Sequence, residues 1–381
     1  MPRKSFSEEL SEWSDFNLVN CIGVDECMKV CPVVSPDLSI AELNEATRDG
    51  GALTDSVLRF ASECVQCGRC DLACPTAAGR SVMMLSLKEK MARSGKSPAA
   101  HKKYFAIKGH DKSPLRQAAF DAWIKTAWRF SKADRLKYKK LAPHIDKSAF
   151  RKAEYLLYFG CYIYTGEKSA AQTVDIADRL GLDYEVLGGL KSCCGWPSLL
   201  AGRTDEAEDY HDRLAELVLK SDPEHVVTGC AECFMSLKKI REKNGMRFEP
   251  LTIPMWLNRF SDRLALRRSE APVTFHDSCN ISRKIGAPEP ARELLGKMAP
   301  VVEMKRSGPK ETYCCGYWGL DANRAQLEAI HLSRFDEAEG TGAGTMVVEC
   351  VTCLESFAKS VKGAGLEVRD VVDLVHERMS P

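Results

Sequence analysis

Short apolar runs alternate with amphipathic segments along the C-terminal two-thirds of the chain. The run Tyr155–Phe159 has the length of a buried strand, and apolar residues at helical spacing follow from Val174 to Leu180, before Gly181. The same order continues with a strand over 184–187, a helix over 205–220 and a strand over 225–228. It then recurs as strands over 273–276, 301–304 and 346–348 and helices over 289–298 and 321–338. The pattern predicts two copies of one open α/β unit.

The N-terminal part of the chain has a helical pattern instead. A short polar lead over 1–20 contains Trp13 and Phe16, which are expected to pack on the residues that follow. Residues 37–62 have the apolar spacing of one or two helices, and a helical pattern resumes at Ser81. These segments predict a small helical module.

A strongly basic stretch separates the helical module from the α/β units. From Lys88 to Lys152 there are 19 Lys and Arg against 5 Asp and Glu, whereas the whole chain has a net charge of only +1. Five apolar residues at near-helical spacing predict a basic amphipathic helix here: Phe120, Trp123, Ile124, Trp128 and Phe130. Three interpretations stay open, namely a linker that packs on its own domains, a surface for an acidic partner subunit, and a membrane-surface helix.

Composition narrows the classes of protein. The 381 residues are 44% hydrophobic, which is enough for globular cores in two or three domains. No apolar run approaches the length of a membrane span, and the polar start Met1–Ser5 lacks the apolar stretch of a secretory signal. We expect a cytoplasmic protein, soluble or held at the inner membrane face by a partner. No recognition motif accompanies the basic stretch, so nucleic acid is not expected as a partner.

Seventeen cysteines supply the chemistry. They are odd in number and fall in CxxC, CC and CxxxCP groups rather than in the scattered pattern of a disulfide framework. A tetrahedral zinc site uses four ligands and does not need adjacent cysteines. The groupings therefore predict iron–sulfur clusters.

The helical module carries two such groups. Cys64, Cys67, Cys70 and Cys74, followed by Pro75, have the spacing of a bacterial two-cluster ferredoxin, in which the fourth cysteine serves the other cluster. The partner group is Cys21, Cys27 and Cys31, followed by Pro32. One [4Fe–4S] cubane is expected on Cys31, Cys64, Cys67 and Cys70.

The other cluster of the module has only three cysteines, Cys21, Cys27 and Cys74. Overlaying the two groups places Val24 where the second cysteine should be, and a valine cannot bind iron. This arrangement resembles the three-iron motif of succinate dehydrogenase iron–sulfur subunits and favours a [3Fe–4S] cluster. An atypically ligated [4Fe–4S] cluster, with Asp25, Glu26 or water as the fourth ligand, is the alternative.

Each α/β unit carries five cysteines at nearly the same spacing. The first set is Cys161, Cys193, Cys194, Cys230 and Cys233. The second set is Cys279, Cys314, Cys315, Cys350 and Cys353. In both units a glycine follows the adjacent pair, and the cysteines fall at the C-terminal ends of predicted strands, where open α/β sheets place their ligands.

These motifs resemble a known family. The CCG pairs, the HDSC at 276–279 with Arg283, the EPAREL at 289–294, and the CAEC and CVTC groups look like the cysteine-rich CCG domains of HdrB, a component of heterodisulfide reductase. With the preceding ferredoxin-like module, the chain is similar to HdrD, in which HdrC and HdrB are fused. It is also similar to iron–sulfur subunits of anaerobic glycerol-3-phosphate, lactate and glycolate dehydrogenases.

The resemblance implies a fold and cofactors. It implies an α+β multidomain chain with a two-cluster ferredoxin-like domain at 1–97, a basic helical linker at 98–152 and CCG repeats at 153–270 and 271–381. Because a cubane needs four thiolates and each repeat keeps five, it implies a noncubane [4Fe–4S] cluster in each. His276 is the candidate for proton delivery, with Tyr313 and Tyr317 as hydrogen-bonding neighbours, and Trp196 and Trp318 are expected to wall the cleft or the cores.

Two functions remain open. The first is a heterodisulfide-reductase-like oxidoreductase that passes electrons through ferredoxin-type clusters to the two noncubane clusters, for reduction of a small-molecule disulfide. The second is an electron-transfer subunit that links a flavoprotein dehydrogenase, or another partner, to a quinone or membrane carrier. No G-x-G-x-x-G fingerprint is present, so NAD or FAD would belong to another subunit. Expected partners are flavoprotein or ferredoxin-like redox subunits and a membrane anchor or quinone-reactive subunit.

Overall fold

A computed structural model describes residues 4–33, 37–98, 114–319, 324–358, 360 and 365–379. The chain is of mixed α/β class, with two small parallel sheets in its C-terminal two-thirds. Two predicted segments lie partly outside the described residues. These parts are residues 99–113 of the predicted linker and residues 321–323 of the helix predicted over 321–338.

The N-terminal module is built from helices, and residues 4–33 and 37–98 contain no strand. The helices are α1 (Phe6–Asn20), α2 (Glu26–Lys29), α3 (Ile40–Thr47), α4 (Asp55–Glu63), α5 (Arg69–Ala73) and α6 (Arg80–Arg93). Leu43, Phe60, Met84 and Leu87 form the core of the module. Cysteine-bearing loops connect the helices, so the core holds the loops in place.

Helix α1 buries a different face from the one expected. Trp13 and Phe16 are 59% and 61% exposed, and their rings pack on each other 6.2 Å apart. Phe6 is the buried aromatic residue of this helix. Its ring lies 4.7 Å from that of His211 and 3.8 Å from the ammonium of Lys239. The expectation that Trp13 and Phe16 pack on the following residues is therefore wrong.

The basic stretch begins in α6, and its described residues from 114 onward form α7 (Pro114–Phe130) and α8 (Arg135–Leu141), followed by a 3₁₀ turn over Ala142–His144. Trp128 is buried in the core of the first repeat and Ile124 packs against that core, whereas Trp123 and Phe130 stay exposed. Lys140 of α8 lies 3.0 Å from Asp175. One face of the stretch thus packs on its own chain, in agreement with the first of the three interpretations.

The first α/β repeat is a four-stranded parallel sheet. Its strands are β1 (Tyr155–Gly160), β2 (Tyr184–Gly188), β3 (His225–Thr228) and β4 (Glu249–Thr252), in the order β2-β1-β3-β4. Its helices are α9 (Glu167–Arg179), α10 (Trp196–Leu200), α11 (Thr204–Ser221), α12 (Ala231–Asn244) and α13 (Ile253–Asn258), with 3₁₀ turns over Cys161–Tyr164 and Leu190–Ser192. Every residue of β1 is buried, as expected for the central strand of a covered parallel sheet.

The second repeat has the same strand order. Its strands are β5 (Val273–His276), β6 (Val301–Val302), β7 (Thr345–Val348) and β8 (Glu367–Asp370), in the order β6-β5-β7-β8. Its helices are α14 (Glu289–Met298), α15 (Gly308–Glu311), α16 (Arg324–Glu339), α17 (Val351–Ala358) and α18 (Val371–Arg378), with a π-helical turn over Ile281–Ile285. The predicted duplication of the α/β unit is confirmed.

The two repeats share one hydrophobic core and several hydrogen bonds. Ser169 and Gln172 of α9 donate to Asp370 and Asp373 across the interface, both at 2.8 Å. The backbone N–H of Val351 donates to the carbonyl of Gly229 at 3.0 Å. Because Gly229 precedes Cys230 and Val351 follows Cys350, this bond brings together the strand ends that carry cysteines. None of the described helices is both long and apolar enough to cross a membrane.

Candidate functional site

The ten cysteines of the two repeats form one row of contacting thiols. In the first repeat, the thiol of Cys193 is in hydrogen-bonding contact with those of Cys161 and Cys194. The contacts continue from Cys194 to Cys233 and from Cys233 to Cys230. All of these thiols except that of Cys161 belong to buried residues. The loops at the C-terminal ends of β1, β2 and β3 thus bring the first predicted set together.

The second predicted set is also brought together. Contacts link Cys350 to Cys353, Cys353 to Cys315 and Cys315 to Cys314. The sulfur atoms of Cys314 and Cys279 are 3.6 Å apart. The two sets meet where the thiol of Cys230 contacts that of Cys350, so the row is continuous from one repeat to the other.

The glycine after each cysteine pair is required by its conformation. Gly195 and Gly316 have φ of 74° and 75°, a left-handed conformation that side chains disfavour. A Cβ atom at Gly195 would lie 2.8 Å from the carbonyl oxygen of Ala207, and one at Gly316 would lie 2.5 Å from Leu327 Cδ1. The CCG motif therefore lets the chain turn sharply beneath helices α11 and α16.

The cysteines of the helical module form two neighbouring groups. Cys31, Cys64, Cys67 and Cys70 are close enough to interact electrostatically, and burial raises the pKa of the Cys70 thiol well above its usual value. Cys21, Cys27 and Cys74 make up the other group. The structure thus places the seven thiols in two neighbouring groups, and the clusters assigned to these groups stay predictions.

A buried arginine lies in the three-cysteine group. The guanidinium of Arg80 donates to Cys21 Sγ at 3.5 Å and to Asn44 Oδ1 at 2.6 Å, and it also contacts the Cys27 thiol. Arg80 is 4% exposed, and its buried Nη1 has no hydrogen-bond partner among the described residues. A guanidinium held there suits an anionic group bound between these thiols, since a buried donor without an acceptor is costly. No motif or spacing in the sequence singles out Arg80.

The module and the second repeat meet at their cysteines. Cys67, Cys279 and Cys314 share one buried cluster with Val65. Arg283 joins the two parts by donating to the carbonyl of Cys67 at 3.0 Å and to that of Pro309 at 2.7 Å, and it also donates to Thr312. Arg283 is one of the residues that carry the family resemblance. In the structure, its hydrogen bonds connect the helical module to the second repeat.

A cavity of about 250 Å³ opens beside the thiols of the first set and is shared by both repeats. Its lining includes Cys161, Cys194, Cys230 and Cys233. Trp196 and Trp318 also line it, together with Tyr317, whose hydroxyl donates to Glu355 at 2.8 Å. The position of both tryptophans agrees with the expectation that they wall a cleft.

His276 lies elsewhere. It is fully buried at the end of β5, its ring packs edge-on against Phe357 at 4.8 Å, and neither ring nitrogen has a hydrogen-bond partner among the described residues. Burial holds the pKa of His276 well below its usual value. His276 is not among the residues that line the cavity. Its role in proton delivery therefore stays a prediction, and the position of its side chain does not support it. Tyr313 packs beneath the guanidinium of Arg69, 5.0 Å away.

Glu232 is a site residue that sequence reasoning missed. Its carboxylate accepts from Asn280 at 2.9 Å and from the Trp318 indole at 3.0 Å, and it accepts from Cys230 Sγ at 3.2 Å. Burial raises the pKa of Glu232 to about 7. The sequence does contain one indication of Glu232. The motif is CAEC in the first repeat and CVTC in the second, so the two repeats differ at this position.

The donor set fits iron–sulfur clusters. Every group is made of cysteine thiols, the ligands that iron–sulfur clusters use. One group also holds a buried guanidinium whose Nη1 has no hydrogen-bond partner in the described part of the chain. No group of three or more His, Cys, Asp or Glu side chains in the described ranges is arranged as for a single metal ion. Fold and thiols together define a cysteine-rich redox protein with duplicated α/β domains.

Comparison with known proteins identifies these domains. Residues 155–238 and 273–358 each match the cysteine-rich domain family CCG. The chain is also homologous to HdrD of heterodisulfide reductase. It is 24% identical over 332 residues to HdrD of the dihydromethanophenazine:CoB–CoM heterodisulfide reductase of Methanosarcina acetivorans, and the match covers 83% of this chain and 77% of the relative.

Two further relatives are redox proteins. The chain is 22% identical to a component of the CoM/CoB fumarate reductase of Methanothermobacter marburgensis, over 94% of this chain and 72% of the relative. It is 23% identical to the EtfAB:quinone oxidoreductase of Syntrophomonas wolfei, over 59% of this chain and 34% of that protein. The relatives support a role as an iron–sulfur redox subunit, as the cysteine motifs predicted.

Proposed function

We propose that the chain is the iron–sulfur subunit of a heterodisulfide-reductase-like complex and carries electrons to a molecule bound at the first CCG repeat. The row of thiols that runs from Cys161 through the contact of Cys230 with Cys350 to Cys279, beside Cys67, carries this proposal. Such a row lets one chain hold several redox centres close to one another. When bound, iron–sulfur clusters supply reversible one-electron chemistry.

The cysteine groups determine which residues would hold each cluster. Cys31, Cys64, Cys67 and Cys70 would hold a [4Fe–4S] cubane, and Cys21, Cys27 and Cys74 would hold a [3Fe–4S] cluster. The five thiols of each repeat would hold a noncubane [4Fe–4S] cluster, because each group has one thiol more than a cubane needs. Arg80 would donate to the three-cysteine cluster and leave a buried positive charge beside it.

The spatial order of the groups differs from their order in the sequence. The helical module adjoins the second repeat through Cys67 and Cys279, whereas the cavity opens at the first repeat. The three-cysteine group and the cavity therefore lie at opposite ends of the series. This arrangement suits entry of electrons from a partner subunit at the module and use of electrons at the cavity.

Two reactions at the cavity require separate tests. Reduction of a small-molecule disulfide is supported by the full set of five cysteines in both repeats. Delivery of electrons from a flavoprotein or ferredoxin-like partner to a quinone-type acceptor is supported by the aromatic lining of the cavity. In both cases the chain holds the acceptor next to Cys194 and Cys230 and limits its contact with water.

Metal analysis of anaerobically purified protein tests the assignment. We expect about 15 iron atoms per chain, with matching acid-labile sulfide, because the four groups would hold one three-iron and three four-iron clusters. Replacing Cys193, Cys194 and Cys233 together by serine should remove about four iron atoms and leave the electron paramagnetic resonance (EPR) signals of the module. Eight or fewer iron atoms after full reconstitution would contradict clusters in the CCG repeats.

A further inference from the structure

The cavity beside the first thiol set has an aromatic wall. Six rings line it, from Phe120, Tyr162, Tyr164, Trp196, Tyr317 and Trp318. Phe120 comes from α7, so the basic stretch contributes directly to the cavity, and its ring lies 5.4 Å from that of Tyr164. Aromatic side chains favour flat apolar rings, which stack on them or meet their edges.

The cavity has acidic but no basic lining residues among those that the structure describes. Among the described lining residues, Glu232 and Glu355 carry carboxyl groups and none is Lys, Arg or His. The ammonium of Lys284 is 5.6 Å from the centre of the Trp196 ring, but it donates to the Gln66 carbonyl at 3.0 Å and does not line the cavity. An anionic ligand would meet two carboxyl groups without a compensating cation, which costs binding energy in a site of low polarity.

The lining also contains a buried donor that lacks an acceptor. The indole Nε1 of Trp196 is buried and has no hydrogen-bond partner among the described residues. A buried N–H group without an acceptor costs free energy of folding. A carbonyl oxygen of a bound ligand would serve as an acceptor for this N–H. The cavity therefore combines apolar rings with a donor for a neutral oxygen.

We propose that this cavity binds an uncharged, flat, quinone-type ring, with a ring carbonyl accepting from Trp196, and discriminates against anions. The proposal rests on the proposed redox function, because a bound quinone needs a source of electrons. Reduction to the quinol consumes two electrons, supplied by a reduced carrier protein, and two protons from solvent. No disulfide bond takes part in this reaction.

A hydrogen-bonded line leads from the cavity toward the surface. Tyr164 lines the cavity, and its hydroxyl donates to Asp121 at 2.6 Å. Asp121 is hydrogen-bonded to Asp146, which is half-buried and whose pKa is raised to about 6, chiefly by burial. Asp146 in turn accepts from Gln117 at 3.1 Å. A tyrosine hydroxyl linked to two neighbouring carboxyl groups suits proton supply to the quinone.

Binding to the oxidised holoprotein tests the ligand class. The two probes are 2,3-dimethyl-1,4-naphthoquinone, whose blocked ring positions do not add thiols, and 2-hydroxy-3-methyl-1,4-naphthoquinone, an anion of the same size at neutral pH. We expect calorimetric titration to show at least tenfold tighter binding of the neutral probe. Glu355→Gln should narrow that difference, because it removes one of the two lining carboxyl groups.

Three variants locate the binding site. Phe120→Ala and Trp196→Phe should each weaken binding of the neutral probe several-fold, the first by removing a ring and the second by removing the indole donor. Phe130→Ala is the matched control, since Phe130 lies on the same helix but is 79% exposed and outside the cavity. Equal affinity for both probes, or affinity unchanged in Phe120→Ala and Trp196→Phe, would overturn the proposal.

Iron analysis separates this proposal from the function on which it rests. A protein that has its full complement of iron but does not bind the neutral probe would keep the redox function and disprove the ligand class.

The hydrogen-bonded line from Tyr164 is tested with Asp121→Asn. This variant should slow quinol formation by viologen-reduced protein and leave the affinity for the probe unchanged. The control variant is Asp134→Asn, which should form quinol at the wild-type rate. If Asp121→Asn also forms quinol at the wild-type rate, the line does not supply the protons.

Discussion

The thiol of Cys67 lies beside that of Cys279, although 211 residues separate them in the sequence, and both are buried in one small cluster. Cys67 belongs to the helical module and Cys279 follows the first strand of the second repeat. Redox centres held at these residues would be neighbours. In the proposed function, this contact makes the second repeat the part of the α/β region that would receive electrons from the module.

Arg283 is expected to maintain this contact. Arg283→Lys keeps the positive charge but loses the planar group that binds three carbonyl oxygens, including that of Cys67. Because a hydrogen bond from a charged donor contributes about 1.5–3 kcal/mol and one such bond reaches the loop over 64–70, we expect this loop to lose roughly 1.5–3 kcal/mol of local stability. Hydrogen–deuterium exchange of this loop measures the change.

The control for Arg283→Lys is Arg268→Lys, since Arg268 is exposed and binds the carbonyl of Gly296 far from the cysteines. Iron content should be the same in both variants. Stopped-flow reduction should show slower electron transfer from the module to the repeats in Arg283→Lys alone. Wild-type exchange in the 64–70 loop of Arg283→Lys would show that Arg283 does not join the two parts.

Much of the α/β region could be predicted from the sequence, because buried parallel strands are continuous apolar runs. The helix over 289–298 was predicted at its observed bounds, and β1 was predicted to within one residue. Strands β4 and β8 were missed. The first contains Pro250, which is unusual within a strand, and the second, Glu367–Asp370, is mostly polar because it lies at the edge of its sheet.

The cysteine groups followed from spacing, but their neighbours did not. Spacing along the chain indicates which thiols lie on one loop, and it holds no information about contacts between distant loops. The contacts of Cys230 with Cys350 and of Cys67 with Cys279 depend on how whole domains pack. The same is true of Arg80 and Glu232, whose polar partners come from separate segments.

We expect Val24 to determine the type of the first cluster. It lies 42% exposed between Cys21 and Cys27, and Lys29 is 2.9 Å from each of the neighbouring carboxylates, those of Asp25 and Glu26. Val24→Cys should add a fourth thiolate, convert [3Fe–4S] to [4Fe–4S] and raise the iron content by about one atom per chain. EPR spectroscopy should show loss of the oxidised three-iron signal.

Val24→Ala serves as the control for this experiment and should keep the three-iron signal. If the wild-type protein shows no such signal when oxidised, the alternative [4Fe–4S] cluster with Asp25, Glu26 or water as the fourth ligand is favoured. Asp25→Ala would then be expected to remove one iron atom.

Arg80 is expected to set the reduction potential of the three-cysteine cluster. A buried positive charge stabilises the more negative, reduced state, so Arg80→Gln should lower the potential by an amount on the order of 100 mV. Glutamine retains a donor for Asn44, which limits the loss of stability. Redox titration followed by EPR measures the shift. Arg93→Gln, at an exposed position of the same helix, should leave the potential unchanged.

A thiol titration distinguishes disulfide reduction from electron delivery to a quinone. If the five-thiol groups serve disulfide chemistry, a product thiol added under mild oxidation should alter the visible and EPR spectra of the repeats. Cys194→Ala and Cys315→Ala should then abolish the change, since each removes a thiol at the centre of its group. If the cavity serves a neutral quinone, the thiol should leave the spectra unchanged while the quinone is still reduced. The aromatic and acidic lining of the cavity favours the second result, because it offers an anionic thiol no cation among the described lining residues.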